Sequence, residues 1–465
     1  MYQYKGLEDT IAAIATPAGQ GGIGIVRISG QEAIAVADAV LRLYEDRALA
    51  QCKSHTVHYG WVINVKTKEI VDEVLVTLMR APKSYTAEDV VEINCHGGTT
   101  VLRAALQAVL NAGARLALPG EFTKRAFLHG RMDLAQAEAV IDVIQARSET
   151  FLRQSHYQLK GELSTQLNAM RDELIKIYTM VEALINFPED GIDAQNRRDI
   201  LNRISIQEKG MARLLESSKN GRILKEGICI VLCGKPNVGK SSLLNALLKE
   251  QRAIVTDIAG TTRDVLEESA QIKGIPISLV DTAGILEPRD LIEKESVSRS
   301  QLYIKSADMV LLVLDHSRPL EAQDMKLMEQ LKAARVLVVV NKADLGGQID
   351  IRVPQQIFGQ EHVIRASALE HQSIQELEAK IVDAILKDKN YDTHGILVSN
   401  IRHIKALEAA QKNLQAACRL MDGNISLEFI SEEIKAAVNQ LDAITGRNID
   451  EDLLDRIFSE FCIGK

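Results

Sequence analysis

Eight consecutive residues, Gly234-Lys235-Pro236-Asn237-Val238-Gly239-Lys240-Ser241, fill the pattern G-x-x-x-x-G-K-[ST] completely. They follow an apolar run, Ile228–Cys233, and open a helix-like stretch that begins at Ser242. That strand–loop–helix context is the one in which successive backbone N–H groups curl around phosphates. In it, Lys240 reaches the β- and γ-phosphates, Ser241 binds Mg²⁺, and Asn237, Val238, Gly239 and Ser242 border the nucleotide.

Two further segments fit the same site. Asp281-Thr282-Ala283-Gly284 follows the apolar run that ends at Val280. An acid there can hold Mg²⁺ through water, and the glycine can offer its N–H to the γ-phosphate. Asn341-Lys342-Ala343-Asp344 follows Val336–Val340, and Ser367-Ala368-Leu369 follows Val363-Ile364. The carboxylate of Asp344 can accept two hydrogen bonds from guanine, a donor pair that adenine lacks, so GTP is preferred over ATP.

Thr256-Asp257-Ile258-Ala259-Gly260-Thr261-Thr262 occupies the place of the first switch loop. Thr262, or alternatively Thr261, closes over Mg²⁺ and the γ-phosphate. The position after Gly284 is Ile285, which cannot orient water. Catalysis must then be organised otherwise, and among Glu287, Asp290, Glu293 and Glu295 at most one acts; the rest are solvated charges.

These segments need elements to hold them. At about 150 residues per domain, 465 residues imply about three domains. A 46% hydrophobic, 25% charged chain is an ordinary globular one. A net charge of −8 argues against a protein whose main business is gripping phosphate backbones. The six cysteines are scattered, and Cys229 and Cys233 read as strand residues, not as a zinc knuckle. No apolar run suits a membrane helix and the N-terminus lacks the order of a signal peptide, so no membrane insertion and a cytoplasmic location are expected.

Residues 1–120 alternate short β-like runs (Ile11–Ala15, Gly24–Ile28, Val74–Leu78, Val90–Ile93) with helical patterns at Glu32–Leu43 and Thr99–Asn111, an α+β domain. In 121–220, Leu163, Leu167, Met170, Leu174, Ile177, Val181 and Leu184 keep a four-three spacing, a long helix with one apolar seam that Pro188–Gly191 ends. Residues 221–386 read as a doubly wound α/β domain with a parallel sheet. In 387–465 the spacing returns at Ile430, Ile434, Ala437, Leu441 and Ile444. Each stripe needs a partner, so one helical domain built from both segments, with the P-loop domain inserted between them, is the economical arrangement.

Gly19–Gly24 fits G-x-G-x-x-G literally, but a strand follows where a dinucleotide fingerprint needs a helix, so a turn shaping some other pocket is the better reading. Tyr85–Asp89, Glu92 and His96 read as polar punctuation around a strand, a structural role. Phe458, Phe461 and Cys462 are odd in a frayed tail, and a docked tail fits better than a prenylation box.

In these residues and in further motifs along its length, the whole chain resembles the tRNA modification GTPase MnmE (TrmE) family. The marks are Ala15-Thr16-Pro17, Gly21–Gly30, Pro119–Leu128, Asp133–Ala139, Thr256–Asp264 and Phe461–Lys465. The resemblance implies a carboxymethylaminomethyl-type modification at C5 of the wobble uridine of tRNAs, made with a flavin-dependent partner, MnmG (GidA). It implies an N-terminal domain that forms a homodimer and binds 5-formyl- or methylene-tetrahydrofolate through Arg27, Glu92 and Arg131, with Lys465 from the tail. Arg131 stands where the family often has lysine, which keeps the charge and not the geometry. It implies activation by K⁺ and by G-domain dimerisation, with K⁺ held by Asn237, Thr256, Ile258 and Thr261, and Glu293 as the water-positioning acid. Cys462 matches the family's terminal cysteine, and the resemblance suggests a catalytic part for it. An Era-type binding switch is the contrasting reading, and it fits the large N-terminal domain and acidic total less well.

Overall fold

The computed structural model describes residues 8–44, 47–187, 194–249, 267–281, 303–305, 307–386, 395–423 and 425–465. The chain divides into two units, Met1–Ile144 with His156–Glu208 and Ala409–Lys465, and Gln145–Ser155 with Lys209–Glu408.

The first unit is built on a seven-stranded sheet. Its strands are β1 (Ile11–Ile14), β2 (Ile23–Ser29), β3 (Leu41–Leu43), β4 (Thr56–Ile63), β5 (Ile70–Met79), β6 (Val90–His96) and β7 (Arg115–Leu116), in the order β3-β4-β5-β6-β2-β1-β7. All neighbours are antiparallel except β1 and β7. Alternation sends Val26, Ile28, Val76, Val91 and Ile93 to one face, where they pack with Ala37, Val40, Ala105 and Val109 of the helices Ala33–Val40 and Thr99–Asn111. The same alternation turns Arg27 and Glu92 to the opposite face, directly across from each other.

One expectation needs correction. The helix expected over Glu32–Leu43 ends at Val40, and Leu41-Arg42-Leu43 is a strand, buried–exposed–buried, paired with β4. A period of two overrides helical propensity here because Gly60 lets β4 approach; a Cβ there would meet the Arg42 carbonyl oxygen at 2.5 Å.

Between 131 and 187 the chain makes three helices, Leu134–Ile144, Glu149–Leu159 and Glu162–Asn186. Gly161, at φ +85°, opens the third. Its seam residues Leu163, Leu167, Met170, Leu174, Ile177 and Val181 are buried, and each leucine so covered contributes about 2 kcal/mol. The helix packs along Leu427–Thr445, whose Ile430, Ile434, Ala437, Leu441 and Ile444 are buried in turn. Arg171 donates to Asp442, and Ser431 to Glu182. The helix Glu451–Ser459, capped by Asp450, brings Phe458 and Phe461 against Phe127 and Ala126.

The second unit holds a six-stranded sheet: β8 (Ile228–Cys233), β9 (Glu267–Ile272), β10 (Ile275–Asp281), β11 (Met309–Asp315), β12 (Val336–Asn341) and β13 (Val363–Arg365), in the order β13-β12-β11-β8-β10-β9. Only β9 is antiparallel to its neighbour. β11 and β12 are buried along their whole lengths, with apolar layers on both faces, as parallel strands require. From β8 the order runs one way to β10 and the other way to β11, so the sheet reverses at β8. The crevice beyond the carboxyl ends of strands at such a switch point is where open α/β sheets bind ligands.

Candidate functional site

Beyond β8 the chain cannot turn without glycine. Gly234 has φ +150°, and a Cβ on it would sit 2.4 Å from the Val313 carbonyl oxygen. Gly239 has φ +93°, and a Cβ there would lie 2.3 Å from Asn341 Nδ2. Between them Asn237 adopts φ +65°. The helix Lys240–Lys249 then begins, so the loop meets a helix N-terminus, which favours anions. Lys240 is buried, and its Nζ donates to Gly234 O at 2.9 Å and Lys235 O at 2.8 Å, which curls the ammonium over the loop. Ser241 and Ser242 are exposed on the first turn.

The end of β12 ties itself to this loop. Asn341 Nδ2 donates to Val238 O and Lys342 Nζ to Asn237 O, both at 2.9 Å. Two consecutive side chains thus hold two consecutive loop carbonyls. Asn341 Oδ1 accepts from Ala368 N at 3.3 Å, Ser367 Oγ donates to Asp344 Oδ1 at 2.6 Å, and Ala343 N donates to Ala366 O at 3.1 Å. Leu369 is exposed beside them. Asn237, Val238, Gly239, Lys240, Asn341, Lys342, Asp344, Ser367 and Ala368 are therefore one connected set. Asp281 ends β10, in register with Leu232 of β8. Thr256, Asp257, Ile258, Ala259, Gly260, Thr261, Thr262, Thr282, Ala283, Gly284, Ile285 and the four acids including Glu293 lie outside the described residues.

Sequence reasoning missed Asp315, whose carboxylate lies 2.6 Å from Lys342 Nζ. It also missed Asp324, which with Glu321 holds Lys235 Nζ at 2.6 and 3.0 Å. The available signal for Asp315 was an acid closing an otherwise wholly apolar strand.

A second set lies on the sheet of the first unit. Arg27 Nε donates to Glu92 Oε1 at 2.8 Å, and Arg27 Nη1 to Gly464 O at 3.0 Å. Its guanidinium carbon stands 5.5 Å from the centroid of the Tyr85 ring and 5.6 Å from that of Phe122. Arg131 stands 5.0 Å from the Tyr85 centroid. Cation–π contacts of this kind fix guanidinium planes. Tyr85 shares a 2.8 Å hydrogen bond with Thr123, and burial raises its phenol above the ordinary range.

The tail docks here. Phe122 N donates to Lys465 O at 3.2 Å, and Gly120 N to Cys462 O at 3.4 Å. Gly464 has φ +95°, and a Cβ on it would meet Ile14 O at 2.3 Å. The half-buried Lys465 ammonium is lowered from its ordinary range by burial and by the Arg27 charge, against the opposing pull of Glu92 and Cys462. The structure so brings Arg27 and Arg131 onto Tyr85, with Glu92 and Lys465 beside Arg27 and Cys462 exposed. Glu88, by contrast, is structural. It is buried with Arg125 at 3.2 Å and Ser29 at 2.7 Å, in a network completed by Asp9 and Glu121. The Gly19–Gly24 segment leads into strand β2, and a Cβ at Gly24 would meet Leu102 at 2.4 Å, so that glycine serves packing.

The donor chemistry fits the groups the sequence suggests. Amide and hydroxyl oxygens at Asn237 and Ser241 suit hard cations such as K⁺ and Mg²⁺. Two guanidinium groups over one aromatic ring, with a carboxylate and an ammonium beside Arg27, suit an anionic ligand that carries a flat heterocycle. Among the described residues no cluster of His, Cys, Asp and Glu could hold a metal, and no helix is long and apolar enough to cross a membrane.

Comparison with known proteins finds relatives along the whole chain. Residues 10–131 match the family model "GTP-binding protein TrmE N-terminus", and residues 134–462 match "MnmE helical domain". A protein of Alkaliphilus oremlandii named tRNA modification GTPase MnmE is 44% identical over 459 residues, 99% of this chain and 100% of its own length. Those of the same name from Alkaliphilus metalliredigens (45% over 460 residues) and Bacillus pumilus (42% over 458) are covered as fully, with 99% and 98% of this chain aligned to 100% of each.

Proposed function

The chain belongs to the tRNA modification GTPase MnmE family, and we propose from that membership that it hydrolyses GTP in a K⁺-dependent manner. In this reading it acts with the flavin-dependent partner MnmG (GidA) to install a carboxymethylaminomethyl-type group at C5 of the wobble uridine of tRNAs. The observation that carries the nucleotide half is the tie between the phosphate loop and β12. Asn341 and Lys342 bond the carbonyls of Val238 and Asn237. A base-reading segment and a phosphate-cradling loop are thereby held at a fixed spacing, as one nucleotide requires.

In hydrolysis a water oxygen bonds to the γ-phosphorus, and the bond to the β–γ bridging oxygen breaks, leaving GDP. Lys240 and the loop N–H groups stabilise the charge that develops on the phosphate oxygens. Glu293 orients the water, since Ile285 cannot, and Thr262 closes over the γ-phosphate. Ser241 and Thr262 would hold Mg²⁺, and Asn237, Thr256, Ile258 and Thr261 would hold K⁺, and both ions would supply positive charge there. Asp344, with Ser367, Ala368 and Leu369, selects guanine.

The Arg27 set is the proposed site for a tetrahydrofolate one-carbon donor. Arg27, Arg131 and Lys465 would offer positive charge to its carboxylates, Glu92 would accept hydrogen bonds from it, and Cys462 would be the nearby thiol. The domains that go with this reading are 1–120 for folate and homodimerisation, 121–220 and 387–465 for the helical domain, and 221–386 for the G domain inserted between them. A cytoplasmic location goes with this reading.

Two measurements test it: GTP turnover in K⁺ against Na⁺, and nucleoside analysis of tRNA from cells that lack the protein. Equal turnover in both salts sinks the K⁺ dependence, and unchanged wobble uridines sink the modification.

A further inference from the structure

Asp315 closes β11 at 7% exposure. One carboxylate oxygen, Oδ1, accepts from Ser317 N at 2.9 Å and Ser317 Oγ at 2.6 Å, which fixes the plane of the group. The other, Oδ2, accepts from Lys342 Nζ at 2.6 Å, while Arg318 Nε stays at 3.8 Å. The same ammonium donates to Asn237 O at 2.9 Å. A carboxylate on β11, an ammonium just past β12 and a peptide carbonyl beyond β8 therefore form one chain.

Both ends of the last link carry unfavourable backbone. Asn237 and Lys342 are non-glycine residues at φ +65° and +64°. Such conformations cost about 1–2 kcal/mol each and persist where the surroundings over-determine them. A lysine carries about 2 kcal/mol of rotamer entropy, so its ammonium stays on one carbonyl only if something selects that rotamer. The buried carboxylate of Asp315 makes that selection. Burial alone would raise its pKa; the bonds from Lys342 and Ser317 outweigh this and hold it below the ordinary value, so it is charged at neutral pH.

We propose that Asp315 is a positioning residue of the nucleotide loop, acting through Lys342 to hold the Asn237 peptide and so set the direction of the Asn237 side chain. It touches no substrate itself. The activity part of its test rests on the K⁺ reading above, and the exchange part does not.

The test uses the full chain with Asp315→Asn, Asp315→Glu, Lys342→Met and the double variant Asp315→Asn/Lys342→Met. In Asp315→Asn, amide hydrogen exchange across residues 235–239 speeds up about tenfold, as expected for one lost charge-assisted bond, while Val336–Val340 exchange as before. The K⁺ concentration for half-maximal GTP turnover rises several-fold, and turnover at saturating K⁺ stays close to wild type. Asp315→Glu keeps most of the protection, and Asp315→Asn adds nothing in the Lys342→Met background. Unchanged loop exchange in Asp315→Asn, or additive effects in the double variant, overturns the proposal. Should Asp315→Asn also loosen β11, Lys342→Met leaves that strand end intact, and unchanged loop exchange there overturns the proposal equally. A wild-type protein indifferent to K⁺ removes the ion reading alone, and the exchange data still decide the role of Asp315.

Discussion

Arg27 on β2 and Glu92 on β6 stand in register across the sheet and join Nε to Oε1 at 2.8 Å, with 14% and 20% of their side chains exposed. The pair is sheltered yet reachable, and it stands on the sheet face opposite the helices Ala33–Val40 and Thr99–Asn111.

Replacing Arg27 by Ala removes a charge that also stacks on Tyr85 and Phe122. Calorimetric titration with 5-formyl-tetrahydrofolate is expected to show binding weaker by about ten- to a hundredfold, the scale of a lost charged hydrogen bond. Arg27→Lys does not restore it, because an ammonium has neither the fork for Glu92 and Gly464 nor the plane for two rings. Binding at wild-type strength in both variants removes Arg27 from the ligand site.

Asn341 is 1% exposed and bonds both Val238 O and Ala368 N. Asn341→Ala strands a buried carbonyl and a half-buried N–H, at about 1–3 kcal/mol. GDP affinity by fluorescent-nucleotide titration falls at least about tenfold, because the loop and the base segment lose their common tie. A loss confined to melting temperature, with affinity kept, contradicts the tie.

Gly464→Ala forces a Cβ into the Ile14 carbonyl at a backbone angle that favours glycine. Protection of the amides of Phe122 and Lys465 against hydrogen exchange is lost, while the β2–β6 ladder keeps its own. A tail that stays protected in this variant shows that the contact tolerates a side chain.

The acid limb of stability also follows. Burial pushes the Glu121 carboxyl up, but bonds from Arg115, the Leu118 N–H and Arg125 outweigh it, so its pKa lies below the ordinary 4.5. A carboxyl lowered on folding contributes stability that is full above its unfolded value and is lost as the pH falls through the folded one. Denaturant midpoints of the full chain are expected to drop as pH descends below about 4.5, and to drop less steeply in Glu121→Gln. Parallel curves for the two proteins exclude Glu121 as a source of the acid sensitivity.

Legibility in the sequence tracked how local the physics is. Gly234, Gly239 and Lys240 were readable because a loop that wraps phosphate admits few residue types at those spacings. The seam from Leu163 to Val181 was readable because a helix repeats its face. Leu41–Leu43 misled, since three residues cannot display a period of two against a helical run just before them; pairing with β4 decides them. The neighbours of Tyr85 looked like punctuation, because Arg27, Thr123, Arg131 and the tail reach it only after folding. Asp324 was invisible for the same reason, and Asp315, though marked as an acid at the end of an apolar strand, showed no partner: each acts through a lysine distant in sequence.

One consequence concerns the order of synthesis. The carbonyl that completes the shell of Arg27 belongs to a residue 437 positions downstream. A chain released before that residue has no such carbonyl to offer Arg27. The contact between Arg27 and Gly464 can therefore form only after translation has passed residue 464, long after the strand that carries Arg27 has been made.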